Sequence, residues 1–209
     1  MSQVTHGARA LLSSSRIYDL FQEIMGSRKA RTIFSAEYVR ANPGDAVLDI
    51  GCGTAELLHY LPPVEYHGFD PDPRYIDTAR RKFRDRPHCS FTCAILDEEL
   101  VGALPKFDVV LMIGVLHHLD DDEVPRLAAL ARTALKATGR LVSLDPCLVE
   151  DQSAIARFLA KRDRGQHVRQ REGYRKLMSA VFPSVATEIR HDLGRIPYTH
   201  LIMQCRPGP

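Results

Sequence analysis

Short apolar runs alternate with amphipathic stretches along most of this chain. Five apolar or β-branched runs predict strands, and they occupy residues 46–48, 65–69, 90–94, 107–113 and 141–144. Apolar residues at helical spacing predict helices at residues 16–25, 28–41, 56–61, 74–84, 123–135, 152–161 and 172–182. Two alternating runs near the end, residues 185–191 and 198–205, predict an antiparallel hairpin. Strands that alternate with helices are typical of a doubly wound α/β sheet.

The first predicted strand runs directly into a glycine-rich turn. Gly51 and Gly53 enclose Cys52, a short helical piece follows, and Pro62 and Pro63 end it. Strand, glycine turn and helix in this order form the nucleotide-binding corner of a doubly wound sheet. Gly51 permits a tight turn that a Cβ would forbid, and Gly53 lets the backbone approach a ligand closely. The sequence therefore predicts a nucleotide-like ligand at this corner.

Acidic residues around the turn indicate which ligand it binds. A dinucleotide fingerprint reads G-x-G-x-x-G, but Glu56 stands at the third glycine position and Asp49 precedes the first glycine. Two carboxylates would repel a pyrophosphate, whereas they suit a ligand that carries an ammonium and a sulfonium. Asp70, nineteen residues after Gly51, ends the second strand and can accept both hydroxyls of an adenosine ribose. The corner thus favours a positively charged nucleoside over the dinucleotide of an oxidoreductase.

Composition and charge narrow the class of protein. The chain has 209 residues, is 44% hydrophobic and carries a formal net charge of +2, which gives no global field toward nucleic acid or membrane. Cys89 and Cys93 lack a second pair that would complete a zinc site, so no metal is expected. The longest apolar run, residues 109–116, is shorter than the roughly 18 residues of a membrane span. We expect one cytoplasmic domain over residues 1–209.

Four segments in order resemble the class I S-adenosylmethionine (SAM) methyltransferases, in particular their small type 11/12-like members. Residues 47–54 (VLDIGCGT) resemble motif I, residues 67–70 (HGFD) the acidic second motif, residues 107–119 the fourth strand with its following segment, and residues 139–142 the start of the fifth strand. The resemblance is close over residues 40–146 and loose elsewhere. It implies a Rossmann-like, doubly wound, seven-stranded sheet that is mostly parallel with an antiparallel C-terminal strand.

The resemblance also implies SAM as cofactor, S-adenosylhomocysteine as product, and a set of binding residues. The implied cofactor-binding residues are Asp49, Gly51, Gly53, Asp70, Ala94, Ile95, Ile113 and Tyr18. Related enzymes usually carry a Gly-Asp pair near the end of the third strand, but Cys93 and Ala94 stand there, so either Asp97 or main-chain groups hold the adenine. Residues 1–41 are expected to form lid helices, in which Tyr18 either covers the cofactor or simply packs.

Candidate catalytic residues follow the fourth and fifth strands. Methyl transfer is an in-line displacement, so the protein mainly aligns the nucleophile, and an oxygen or nitrogen acceptor also needs a base. His117, His118 and Asp145 are all expected at the carboxyl edge of the sheet. His118 is the preferred base, with pocket shaping as its alternative. Asp145 either orients a substrate hydroxyl or caps the turn before Pro146.

Residues 147–183 are the predicted substrate cap. Residues 151–176 contain eight basic and three acidic side chains, and Arg162, Arg164 and Arg169 can fork onto an anionic acceptor; a solvated helix connection is the alternative. We expect a small, polar or anionic acceptor. The basic cluster at residues 80–86 has no interleaved aromatic residues, so it predicts a solvated helix face and makes nucleic acid an unexpected partner. A SAM-binding protein with a cyclase-like or regulatory role, or an RNA or protein methyltransferase, would share these motifs.

Overall fold

A seven-stranded sheet forms the centre of the computed structural model, which describes residues 28–161, 166–193 and 198–208. The strands are β1 (Ala46–Ile50), β2 (Glu65–Asp70), β3 (Cys89–Cys93), β4 (Phe107–Ile113), β5 (Leu135–Pro146), β6 (Ser184–Arg190) and β7 (His200–Arg206). Their order across the sheet is β3-β2-β1-β4-β5-β7-β6. The strands β1 to β5 pair in parallel, and β7 is antiparallel to both β5 and β6. The predicted fold class, Rossmann-like and mostly parallel, is confirmed.

Helices connect the strands along the described residues. They are α1 (Arg28–Phe34), α2 (Pro73–Lys82), α3 (Glu98–Ala103), α4 (Glu123–Ala134), α5 (Ala154–Lys161) and α6 (Arg171–Ser179). A π-helical turn, Ser35–Val39, continues α1. Single 3-10 turns follow two strands, Glu56–Tyr60 after β1 and Leu116–His118 after β4. The helix predicted at residues 16–25 lies outside the described residues.

The structure differs from the sequence predictions at three places. The helix predicted at residues 56–61 is a 3-10 turn, because it starts from Ala55 in the left-handed region (φ 56°) and meets two prolines within two turns. The short helix α3 was not predicted. Strand β5 begins six residues before the predicted strand, since Leu135 already pairs with Phe107 before a bulge. Gly139 makes this possible, because a Cβ there would lie 2.8 Å from the carbonyl oxygen of Phe107.

Apolar side chains cover both faces of the sheet. Leu48 and Val110 face one cluster, whereas their strand neighbours Val47 and Val109 face the other, and all four are fully buried. Strands buried on both faces leave little room for polar groups along their length. Buried acidic side chains therefore occur at the carboxyl ends of strands, as at Asp70 and Asp145.

The basic cluster beside α2 does not form a solvated face throughout, so that prediction is wrong in part. The Arg80 guanidinium donates to the carbonyl oxygen of Phe91 at 2.7 Å. Arg86 donates to Leu58 at 2.5 Å and to Pro62 at 2.8 Å. These two arginines hold neighbouring loops, which leaves fewer charges for a polyanion. Within the described part of the chain, no helix is long and apolar enough to cross a membrane, and no three His, Cys, Asp or Glu side chains group as metal ligands.

Candidate active site

The glycine turn curls over the end of β2. Gly51 and Gly53 both have positive φ angles, of 75° and 53°. The Gly51 amide donates to the carbonyl oxygen of Phe69 at 2.8 Å, and the Gly53 amide donates to the Oδ2 atom of Asp70 at 3.0 Å. A Cβ on Gly51 would lie 2.7 Å from the Cγ2 atom of Val115, so the segment after β4 packs directly against the turn. The space that a Cβ on Gly51 would need is thus occupied by Val115, and the close approach of a ligand to Gly53 stays a prediction.

Asp70 is held in place by the main chain and keeps acceptor capacity. Its Oδ1 atom accepts from the Asp72 amide at 2.9 Å, and its Oδ2 atom accepts from the Gly53 amide. Burial raises the pKa of Asp70, while these two amide donors oppose the rise. An ionised carboxylate has about four acceptor positions, so about two remain for a ligand's hydroxyls.

Asp49 offers a second buried carboxyl at the end of β1. It is 3% exposed, and its Oδ2 atom accepts from the Tyr66 hydroxyl at 2.6 Å. Its Oδ1 atom has no hydrogen-bond partner among the described residues. Burial raises the pKa of Asp49 from 3.8 to about 7, with the charge of Asp70 adding to the rise and the Tyr66 hydrogen bond opposing it. A buried acid with an open oxygen is suited to a cationic group.

Glu56 does not contribute the free charge that the sequence suggested. Its Oε1 atom pairs with the Lys82 ammonium and accepts from the Thr54 hydroxyl at 3.1 Å. Burial alone would raise the pKa of Glu56, but the hydrogen bond and charge of Lys82 lower it. The second carboxylate at this corner is therefore Asp70 rather than Glu56, which corrects the charge argument made from the sequence.

The segment after β3 exposes an apolar side chain. Ile95 is 53% exposed, whereas Ala94 and Ile113, the last residue of β4, are half-buried. Asp97 caps α3, because its Oδ1 atom accepts from the Leu100 amide at 2.8 Å. The exposed Ile95 side chain therefore offers apolar surface to a ligand beside this helix. The Tyr18 prediction lies outside the described residues.

A buried histidine and aspartate meet beyond β4 and β5. The Nδ1 atom of His117 lies 2.9 Å from the Oδ1 atom of Asp145, and the two side chains are 1% and 0% exposed. The His117 amide donates to the same oxygen at 3.2 Å. A carboxylate at Nδ1 fixes the proton there in the neutral ring, which makes Nε2 the basic nitrogen. Among the described residues, the Oδ2 atom of Asp145 has no hydrogen-bond partner.

His118, which the sequence favoured as the base, lies outside the buried pair. His118 is exposed, and its ring is tilted by 39° against that of His117, with centroids 4.1 Å apart. The backbone turn that carries both histidines begins at Gly114, which has φ 67°. The Gly114 amide donates to the carbonyl oxygen of Leu144 at 2.7 Å. Asp145 therefore meets His117 rather than His118. Sequence reasoning placed both histidines at this edge, but nothing in two consecutive residues indicates which one turns inward.

The cap predicted after β5 is described only in part. Arg162 and Arg164 lie outside the described residues. Arg169 does fork onto a carboxylate, but onto Asp121 of this chain, with Nη2 and Oδ1 2.7 Å apart. The donors of Arg169 are thus used within this chain, which disfavours the predicted contact with an acceptor.

Sheet order, glycine corner and strand-end carboxylates together define a Rossmann-like protein with the class I methyltransferase fold. Residues 48–141 match the family model described as a methyltransferase domain. The resemblance drawn from the sequence is thus confirmed over this stretch of the chain. A search of curated proteins finds no match.

Solved structures share the whole fold at low sequence identity. Human N-acetylserotonin methyltransferase in complex with SAM is 20% identical with a TM-score of 0.69, over 96% of this chain and 58% of that one. The mitomycin 7-O-methyltransferase MmcR is 23% identical with a TM-score of 0.63, over 95% of this chain and 60% of that one. The cyclase SpnF is 15% identical with a TM-score of 0.64, over 85% of this chain and 79% of that one. These likenesses establish the fold.

SAM, the cofactor implied by the family, fits the residues at the corner. The buried Oδ1 atom of Asp49, unpaired among the described residues, could accept from an ammonium, and the remaining acceptor positions of Asp70 could accept from two hydroxyls. The exposed Ile95 side chain could pack against the adenine ring. SAM is therefore the cofactor of this domain.

Proposed function

We propose that this protein transfers a methyl group from SAM to an oxygen or nitrogen atom of a small, polar or anionic molecule. Methyl transfer from SAM follows from the family. The finer statement rests on the buried contact between His117 and Asp145, because a base is needed for a protonated oxygen or nitrogen acceptor. Val115, two residues before His117, packs against the glycine corner, so this pair and the cofactor site adjoin.

The cofactor residues have separate roles in this proposal. Asp70 accepts the ribose hydroxyls, and Asp49 accepts the ammonium. Gly51 and Gly53 admit the ligand to the backbone. The apolar lining consists of Ala94, Ile95 and Ile113. Tyr18 stays a prediction as the lid residue.

His117 and Asp145 carry the proton in this proposal. SAM supplies the methyl group as an electrophile on its sulfonium. With SAM bound, the methyl–sulfur electrons would stay on sulfur as the acceptor's oxygen or nitrogen takes the methyl group, and His117 would take the acceptor proton at Nε2. Asp145 keeps Nδ1 protonated and stabilises the resulting imidazolium. Asp145 thus orients the base, and the alternative role of His118, the shaping of the pocket, stays a prediction.

The acceptor in this proposal is a small molecule rather than RNA. The two methyltransferases above are named for small molecules, N-acetylserotonin and mitomycin, which supports a small acceptor by analogy of fold. Arg80 and Arg86 are bonded to main-chain carbonyls, which disfavours an RNA acceptor. The proposal that the acceptor is anionic rests on Arg162 and Arg164, whose role stays a prediction.

A labelled-methyl screen tests the proposal. The protein is incubated with SAM that carries a labelled methyl group, and separately with small-molecule, RNA and protein fractions of a cell extract. We expect S-adenosylhomocysteine and label to appear in the small-molecule fraction. Label in RNA or protein would contradict the small acceptor, and SAM binding without any S-adenosylhomocysteine would favour a cyclase-like or regulatory role.

Two matched histidine variants then test the base. We expect His117→Asn to lower kcat by roughly 100-fold or more, because a general base contributes about that much, while SAM affinity stays unchanged. His118→Asn keeps the buried pair and should change kcat far less. Equal losses in both variants, or a larger loss in His118→Asn, would reject His117 as the base.

A further inference from the structure

The Arg169 guanidinium uses every donor that it has. Its Nε and Nη2 atoms donate to the Oδ1 atom of Asp121 at 2.8 and 2.7 Å. Its Nη1 atom donates to the carbonyl oxygens of Leu116 at 3.1 Å and His167 at 3.0 Å, and Nη2 also donates to that of Leu119 at 2.7 Å. An arginine has five N–H donors, and all five are satisfied here.

These bonds enclose the turn that carries the two histidines. Leu116 and Leu119 lie on either side of His117 and His118, so Arg169 holds both ends of the turn. The His167 amide donates to the carbonyl oxygen of His117 at 3.1 Å, which ties the cap to the same turn. The turn between β4 and α4 therefore has its shape fixed from the cap side.

Arg169 also contacts residues that lie close to Asp145, the second member of the buried pair. The Arg169 guanidinium carbon lies 5.5 Å from the centre of the Tyr174 ring, a cation–π distance. Tyr174 is fully buried and donates its hydroxyl to the carbonyl oxygen of Pro146 at 3.2 Å, directly after Asp145. The Arg169 amide oxygen also accepts from Leu148 at 3.1 Å. Arg169 thus touches elements on both sides of the histidine and its carboxylate.

We propose that Arg169 is a positioning residue, which together with Asp121 forms a clamp that sets the orientation of the His117 ring against Asp145. The proposal rests on the function proposed above. Only arginine fits the place, because a lysine has three donors on one atom and cannot reach carbonyls on two sides together with a carboxylate. The side chain is 11% exposed, so its hydrogen bonds compete little with water.

The test reads the His117 ring directly as well as turnover. Long-range proton–nitrogen NMR spectra report the tautomer of each imidazole, and the His117→Asn variant assigns the His117 signals. In the unchanged protein we expect His117 protonated at Nδ1. In Arg169→Lys we expect the His117 nitrogen signals to shift or double, and kcat to fall on the order of ten-fold with SAM affinity unchanged.

Two further variants calibrate the effect. Asp121→Ala removes one partner and leaves the three carbonyl bonds, so its changes should be in the same direction but smaller. Arg175→Lys alters an exposed arginine of α6 whose pair with Glu172 is 3.5 Å long, and it should change neither the His117 signals nor kcat.

The outcomes separate the clamp from general stability and from the proposed function. If Arg169→Lys lowers only the melting temperature, and the His117 signals and kcat below that temperature equal those of Arg175→Lys, Arg169 is merely structural and the proposal fails. If His117→Asn retains full turnover while Arg169→Lys still shifts the His117 signals, the clamp stands and the base assignment fails. If Arg169→Ala does not fold, the lysine variant alone decides.

Discussion

The buried Asp49 carboxyl should make SAM affinity depend on pH just below neutrality. Its pKa is raised above the unfolded value of 3.8 to about 7, so between these values the folded protein without ligand binds the proton more tightly than the unfolded chain. The free energy of unfolding therefore falls as pH rises through this window and levels off above it. The full loss is about 4 kcal/mol for a shift of this size.

A cationic ligand reverses this effect, because it favours the ionised form. With a pKa of about 7, the ionised fraction of Asp49 rises from about 3% at pH 5.5 to about one half at pH 7. We expect SAM affinity to rise by about 15-fold over this interval, in which the ligand's own amino group, with a pKa near 7.7–8.0, stays protonated. Isothermal titration calorimetry at several pH values, in two buffers of different ionisation enthalpy, would measure the affinity and the proton released.

Asp49→Asn is the decisive variant, because the amide oxygen still accepts from Tyr66 but the group cannot ionise. We expect weak SAM binding with a flat pH profile, together with a protein that is more stable at pH 8 than its parent. Burial raises the pKa of Asp70 as well, so the variant also separates the two acids. Asp77→Asn, on the exposed side of α2, should retain the parent's slope. An unchanged slope in Asp49→Asn would refute the reasoning.

Three further variants test the rest of the site. Asp70→Ala should weaken SAM binding by about ten-fold or more in calorimetry, because a charge-assisted acceptor contributes about 1.5–3 kcal/mol; unchanged affinity in the folded variant would mean that the ribose is held elsewhere. Asp145→Asn should lower kcat by roughly 100-fold without loss of SAM affinity, since the amide no longer fixes the His117 tautomer, and wild-type turnover would exclude this role. Gly51→Ala should lower the free energy of unfolding, measured in urea, by about 1–2 kcal/mol or more. Gly102→Ala should not lower it, because there is open space where its Cβ would lie. Equal effects in both variants would contradict the close packing of the turn.

Much of the fold could be predicted because its signals are local. Apolar runs such as residues 107–113 are buried on both faces, and a glycine turn follows the first of the strands. Errors arose where a short-range signal competes with pairing to another strand. Leu135 looks like the end of a helix, but it pairs with Phe107 and starts β5. Glu56 looks like a free acid, but Lys82 from α2 pairs with it across 26 positions of sequence.

The site could be predicted only as far as strand ends determine it. Asp70 ends β2 and Asp49 is the last residue but one of β1, and parallel strands bring their carboxyl ends to one edge, so the sequence was sufficient to bring them together. It was not sufficient to show that Asp49 keeps an open oxygen, because that depends on Tyr66 reaching across from the neighbouring strand.

By itself, the sequence determined the doubly wound sheet and its glycine corner, because periodicity and residue type act over a few neighbouring positions. Its motifs implied the cofactor by their resemblance to a family. Tertiary structure decided which of two adjacent histidines meets Asp145, since that depends on the backbone turn at Gly114 and on packing between β4 and β5. It also decided that Arg169 binds this chain rather than a ligand. The sequence does not distinguish an arginine that binds its own chain from one that binds a ligand. Only the carbonyls and the carboxylate that the fold brings around the guanidinium determine its role.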